Sequence, residues 1–134
     1  MITLKTRRLL LAPWREEDAE ALYALASDPE IGPMCGWEPH GSVEESREVI
    51  RDVFSAPEVC AILSRESGAL LGAVGLQPSS EIFPELSATE QREMGYWLGR
   101  PYWGHGVMTE AATELLRFGF EPGKIYRMAL KSFE

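Results

Sequence analysis

Two cysteines and two histidines are all that the 134 residues contain. Cys35 sits in a Gly/Pro-rich stretch and Cys60 in an apolar run, with neither CxxC nor metal-type spacing. A zinc site and a disulfide framework are excluded on that pattern, so no metal is expected. Reduced thiols fit a cytoplasmic protein. Long apolar runs are missing as well. The N-terminal charges precede only Leu9 to Ala12, too few for the core of a signal peptide. No stretch approaches the roughly 20 residues of a membrane span. Basic residues are outnumbered, 13 Lys and Arg against 21 Asp and Glu, for a formal net charge of −8. Phosphate neutralisation needs a basic face, so neither nucleic acid nor an anionic membrane surface is the expected partner. An acidic chain is a better host for a cationic substrate such as an amine, within a field that salt screens.

Repeats, linkers and low-complexity tracts are also absent, which leaves one domain over residues 1–134, long enough to bury a core. Leu9, Leu10 and Leu11 read as a short buried strand stopped by Pro13. A helix follows over 15–27, its first turns loaded with Glu16, Glu17, Asp18 and Glu20, and Asp28-Pro29 ends it. Residues 31–41 hold three glycines and two prolines and read as a loop. Ser42-Val43-Glu44-Glu45 has the capping-box pattern and opens a second helix, with Val49, Ile50, Val53 and Phe54 expected on its buried face. The apolar runs 58–64 and 69–76 flank Arg65-Glu66-Ser67-Gly68 as a hairpin, and 77–90 reads as a loop. Residues 91–98 alternate, with Met94, Tyr96 and Leu98 on one face and Glu93, Gly95 and Trp97 on the other. A helix from Val107 to Phe120 packs Met108, Ala111, Ala112, Leu115 and Phe118, with Glu110, Glu114 and Arg117 left to solvent. Ile125 to Leu130 supplies a last strand. The order βααβββαβ predicts an α+β fold with a mixed sheet.

The stretch between the last two elements carries the chemistry. Gly104 and Gly106 remove side chains that would keep a ligand from the backbone. The helix after them begins with unpaired N–H groups from Val107 to Glu110, which together with the helix dipole suit an anion such as a diphosphate. The glycine pair alone reads equally well as a tight turn. It lacks the dinucleotide-fold spacing and the Lys-Ser/Thr pair of a P-loop.

The run from Tyr96 through Tyr102-Trp103-Gly104-His105-Gly106-Val107-Met108-Thr109-Glu110-Ala111 resembles the acetyl-CoA-binding signature of the GNAT superfamily. It is most similar to the branch that contains the ribosomal-protein alanine N-acetyltransferases. Thr6 to Ile31 resembles the first strand and helix of that branch, and Gly68 to Leu76 its central hairpin strand. The resemblance implies a GNAT-like, mostly antiparallel central sheet flanked by helices. It implies acetyl-CoA as co-substrate and an amine acceptor: a protein N-terminus, a polyamine or an antibiotic amine. Trp103 takes the Gln/Arg position of the signature, Gly106 the central glycine, and Met108 a position that is usually Gly or Ala. Trp103, Gly104, His105, Gly106, Val107, Met108 and Thr109 are therefore the expected cofactor-binding residues. A backbone N–H at Trp97 or Leu98 is expected on the thioester oxygen. Glu93, ten residues before Trp103, is the expected general base, unless it serves only as a strand glutamate paired with Arg92 or Arg100.

His105 reads as a phosphate contact or as plain surface, and His40 as a lining of the acceptor pocket or as plain loop. The family usually continues past the strand ending here at Leu130 with a helix and further strands, which the resemblance finds no residues for. A shortened chain, or a homodimer covering the exposed C-terminal edge, is expected on that basis. Two other readings stand beside acetyl transfer. One is a non-catalytic coenzyme-A-binding or interaction module, and the other an unrelated α+β domain whose GxG is a turn.

Overall fold

The computed structural model describes residues 3–29, 40–55, 58–78, 91–119 and 127–130. The side chains of 77–78, 91–93, 119 and 127–130 fall outside that description, as do most of the two expected loops, 31–41 and 77–90.

The strands are β1 (Leu4–Lys5), β2 (Leu9–Pro13), β3 (Val59–Ser64), β4 (Leu70–Pro78), β5 (Gln91–Leu98) and β6 (Arg127–Leu130). They form one six-stranded sheet in sequence order. All pairings are antiparallel except β5 with β6, which is parallel. The mixed, mostly antiparallel α+β sheet is the expected one. β1 was not foreseen, because a two-residue strand carries no readable period. The leucine strand also runs further than expected: Pro13 is its last residue, opposite Cys60. Gln77 and Pro78 extend β4 rather than opening a loop.

The helices are α1 (Ala19–Ala26, after a 3-10 turn at Glu16–Asp18), α2 (Val43–Asp52) and α3 (Val107–Gly119). Two apolar layers cover opposite faces of the sheet. On one, α1 and α2 pack Trp14, Ala19, Leu22, Ala26 and Ile50 against Val59, Ala61, Ala73 and Trp97. On the other, Val107, Ala111 and Leu115 of α3 lie on Leu9, Leu11, Ile62, Val74 and Met94. Leu115 is 0% exposed, and burying such a side chain contributes about 1.5–3 kcal/mol. The alternation read in 91–98 holds where side chains are described: Met94, Tyr96 and Leu98 join the α3 layer and Trp97 the other.

Ser42 caps α2, its side chain accepting from the Glu45 amide, while Glu45 accepts from the Gly41 amide at 2.8 Å. The buried face of α2 differs from the expected one. Ile50 and Ser46 are buried, but Val53 is 49% exposed. Val53 is the C-cap, with φ −117, so the helical periodicity that would bury it ends at this residue.

Candidate functional site

Sheet geometry decides which way the end of β5 faces. The Leu76 amide donates to the Glu58 carbonyl at 2.9 Å and the Gly99 amide to the Leu71 carbonyl at 2.8 Å. Peptide groups alternate sides along an antiparallel ladder. The even residue Leu76 thus faces β3, and Ala73 and Gly75 face β5. Their register partners Trp97 and Gly95 must face back toward β4. Tyr96 and Leu98 therefore present their N–H and C=O to the other edge. Along that edge the described β6 rungs stop at Met94, opposite Leu130, four residues short of Leu98.

From there the chain turns through a 3-10 segment, Arg100–Tyr102, with Pro at its start. The Tyr102 amide donates to Gly99 at 3.0 Å and the Trp103 amide to Arg100 at 3.2 Å. Arg100 forks onto the Asp28 carboxylate, with Nε at 2.9 Å from Oδ2, and so fastens the turn to the end of α1. The Trp103 indole reaches back and donates Nε1–H to the Leu98 carbonyl at 2.8 Å. Gly104 and Gly106 have φ of 79° and 73°, a left-handed region that costs other residues steric strain. A Cβ added at Gly104 would meet nothing within 4 Å, so the backbone there is open to a ligand. The first rung of α3 is the Glu110 amide to the Gly106 carbonyl, 3.1 Å. Helix geometry leaves the amides of Val107, Met108 and Thr109 without an upstream carbonyl, pointing along the axis toward that loop.

A clamp holds the start of the helix from the side. Glu110 accepts from Thr6 Oγ1, in a very short contact. It also accepts from the Arg8 amide at 3.0 Å and Arg8 Nε at 2.7 Å. Arg8 Nη1 in turn donates to the His105 carbonyl at 3.0 Å. Burial alone would push the Glu110 carboxyl up. The hydrogen bonds from Thr6 and Arg8, and the charge of Arg8, outweigh it and hold the pKa down to about 2. Glu110 is thus no solvent-side residue, as its helical position suggested. Chain entry beside α3 brings Thr6 and Arg8 within its reach.

The expected cofactor residues fall into three groups. Gly104, His105, Gly106 and Thr109 are exposed at the loop and helix start, where backbone and side chain can both meet a ligand. Val107 is buried and Met108 is half-buried against the α3 layer, so each offers its backbone; the long Met108 side chain packs downward. Trp97 and Leu98 end β5, with the Trp97 side chain buried in the opposite layer. Glu93 lies on β5 between Gln77 and Ala129, and its side chain lies outside the described residues.

His40 is not the plain loop surface that one of its two readings made it. It is only 7% exposed, its amide donates to the Ala26 carbonyl at 3.0 Å, and Nδ1 sits 2.7 Å from Ser46 Oγ. It joins α1 to α2. Burial lowers its pKa, against a smaller opposing pull from Glu45. Cys60 is buried, and burial pushes its thiol up to about 11, which disarms it as a nucleophile. Trp37 and Cys35 lie outside the described residues. Among the described residues there is no group of three or more potential metal ligands, and no helix long and apolar enough to cross a membrane.

Sequence reasoning missed the Thr6–Arg8–Glu110 clamp and the Trp103–Leu98 bond. Both stretches of the clamp stood out in the sequence, but a pairing across 102 positions leaves no spacing signal.

Comparison with known proteins agrees with the fold. The profile of the acetyltransferase (GNAT) domain matches residues 8–131. The chain is 29% identical, over 136 residues, to the uncharacterized N-acetyltransferase p20 of Bacillus licheniformis, covering 98% of this chain and 73% of that protein. It is 28% identical to the FsC-acetyl coenzyme A-N(2)-transacetylase of Aspergillus fumigatus over 125 residues, 89% of this chain and 53% of that one. The crystal structure of a GNAT-family acetyltransferase from Bacillus anthracis superposes with a TM-score of 0.81 at 20% identity, over 96% of this chain and 72% of that one. The chain thus spans from about half to about three quarters of the length of these three proteins.

Proposed function

The chain belongs to the GNAT acetyltransferase family, and from that premise we propose that it moves the acetyl group of acetyl-CoA to a primary amine by direct attack. The observation that carries this reading is the shared position of two kinds of donor. The outward Leu98 N–H and the first amides of α3 flank one turn, which the Trp103–Leu98 bond holds closed. The open backbone at Gly104 fits a diphosphate there. The coenzyme supplies an activated thioester.

In this reading the loop from Trp103 to Thr109 holds the diphosphate through its amides and the helix dipole. The Leu98 N–H donates to the thioester oxygen as negative charge develops on it. The choice of Leu98 over Trp97 follows from ladder parity, since the Trp97 peptide faces β4. Glu93 takes a proton from the amine, directly or through water, while nitrogen bonds to the acetyl carbon. The carbon–sulfur bond then breaks, and the thiolate takes up, through water, the proton that the amine gave to Glu93, so that the coenzyme leaves as its thiol. An α-amine, with pKa about 7.7–8.0, is already partly neutral at pH 7, whereas a lysine near 10.4 is neutral in about one molecule per few thousand. A protein N-terminus or other weakly basic amine is therefore the acceptor that asks least of Glu93.

The same reading treats residues 1–134 as one domain at work in the cytoplasm. β6 is the last strand of the sheet among the described residues, and a second copy of the chain is its proposed cover. A clean monomer in sedimentation at micromolar concentration removes that cover. Thiol release from acetyl-CoA is the direct test of function, with a peptide α-amine, a lysine peptide, a polyamine and an aminoglycoside as acceptors. Turnover with at least one amine is expected. Coenzyme binding without turnover on any of them would leave a coenzyme-binding module, and no binding would overturn the reading.

A further inference from the structure

Three arginines converge beside the start of α3 in a chain whose formal net charge is −8. Two open grooves flank that start, and Arg7 lines both. One, of about 570 Å³, runs past Thr6, Gly106 and Thr109 and is bordered by Glu110 and Glu114, whose carboxylates disfavour an anion there. The other, of about 460 Å³, runs past Arg8, Arg65, Tyr102 and Val107. The three guanidinium groups differ in what occupies them. Arg8 is held by Glu110 and by the His105 carbonyl. Arg65 spends Nη1 on the Thr6 carbonyl at 2.7 Å. Arg7 is exposed, and among the described residues nothing bonds to or pairs with its side chain.

Arg8 needs its Glu110 partner to sit at the loop. Arg7 has no such structural task, yet it projects from the neighbouring position of the same turn. Glu66 borders the second groove; with Arg8 already paired to Glu110, Arg7 and Arg65 face one carboxylate there and the groove is net positive. Like charges held close repel unless an anion comes between them. A planar guanidinium with all its donors unspent matches a phosphate in two-point geometry.

We propose that the second of these grooves is a second phosphate subsite, which takes the 3′-phosphate on the ribose of the coenzyme, with Arg7 as principal contact and Arg65 beside it. This rests on the acetyl-CoA reading above. The diphosphate and the 3′-phosphate belong to one nucleotide. A cradle for the first at Gly104–Thr109 requires any site for the second to lie within a few ångströms of that turn, and this groove shares Val107 with it. The groove would make the protein distinguish coenzyme A from its 3′-dephospho form. It would also explain how a loop with Trp103 in place of a Gln or Arg still draws an anion.

Isothermal titration of the intact chain with acetyl-CoA and with 3′-dephospho-acetyl-CoA tests this, in wild type, Arg7→Ala and Arg7→Ala/Arg65→Ala. The wild type is expected to prefer the phosphorylated form by roughly tenfold, the scale of one charge-assisted contact at a partly screened surface. Arg7→Ala should bring the ratio to about two or less while leaving the affinity for the dephospho form unchanged. The preference should also shrink in 0.5 M salt. Thermal unfolding should match wild type for Arg7→Ala, since no described contact is lost. A wild-type ratio near one, or a ratio retained in the double variant, overturns the subsite but leaves the acetyl-CoA reading intact. Binding of neither form overturns both.

Discussion

The indole Nε1 of Trp103 donates to the main-chain carbonyl of Leu98 at 2.8 Å, so the loop that would hold a phosphate is latched to the strand that would hold a thioester. Trp103 remains 37% exposed, and only its inner edge is used. This side chain turns inward and sets the distance between loop and strand. The Leu98 carbonyl is thereby occupied, while the N–H of the same residue, on the same edge of β5, stays available.

Trp103→Phe keeps the ring and removes the donor. One hydrogen bond of this kind contributes about 0.5–1.5 kcal/mol to the fold, so the melting temperature should fall by roughly 2–6 °C, and acetyl-CoA affinity should fall as the loop comes off the strand. Titration of the coenzyme and a melting curve check both halves. Unchanged affinity would remove the latch from the binding function.

Glu93→Gln should lower turnover on the order of 100-fold, the range of a general base, and most of all at low pH, where the acceptor amine is most protonated. Steady-state rates from pH 6 to 9 give the profile. If the variant and the wild type show the same profile, Glu93 is not the base.

Burial pushes the Glu110 carboxyl up, but hydrogen bonds from Thr6 and Arg8, with the Arg8 charge, outweigh it and hold the pKa down to about 2, well below the usual carboxylate range. A depressed carboxylate stabilises the fold above the unfolded pKa, and that contribution is lost as pH falls from about 5 through 2. Glu110→Gln should therefore melt lower than wild type at pH 7, and the gap should close on acidification across that window. Melting temperatures at half-unit steps would show it, and a constant gap would contradict the clamp.

His40 acts in the same direction, in a higher pH window. Burial lowers its pKa from 6.5, so the unfolded state binds the proton first and stability falls as pH drops below about 6.5. His40→Gln should flatten this part of the stability curve between pH 7 and 5. Denaturant midpoints measured over that range check it.

Gly72→Ala should destabilise by about 1–3 kcal/mol through overpacking. Its Cβ would run into the Trp97 carbonyl, and would come within 2.9 Å of the Leu98 Cα. Both obstacles are backbone atoms of the paired strand, which cannot swing aside. Because β5 would have to shift, coenzyme affinity should fall along with stability, as titration and urea melts on the same preparation would show.

Much of the fold was legible in advance because its signals are local. Strand alternation at Met94, Tyr96, Leu98 and Trp97, the Ser42 cap and the glycine pair each depend on residues a few positions apart. β1 was too short to leave a pattern. Val53 has an apolar side chain at the right spacing for burial, but the helix ends beneath it. His40 stood in a stretch that read as loop, and only the approach of α1 to α2 buries it against Ser46.

By itself the sequence determined the sheet-and-helix order, the resemblance to an acetyl-CoA-binding signature, and the placing of the loop between β5 and α3. Those follow from periodicity, backbone freedom and helix ends. Tertiary structure alone decided which peptide of β5 faces the open edge, since parity depends on the register with β4. It alone paired Arg8 with Glu110 and left Arg7 without a described partner, because such contacts join residues about a hundred positions apart in the chain. The signature loop could be read in one dimension; the latch and clamp that hold it, and the cation beside it, exist only once the sheet has formed.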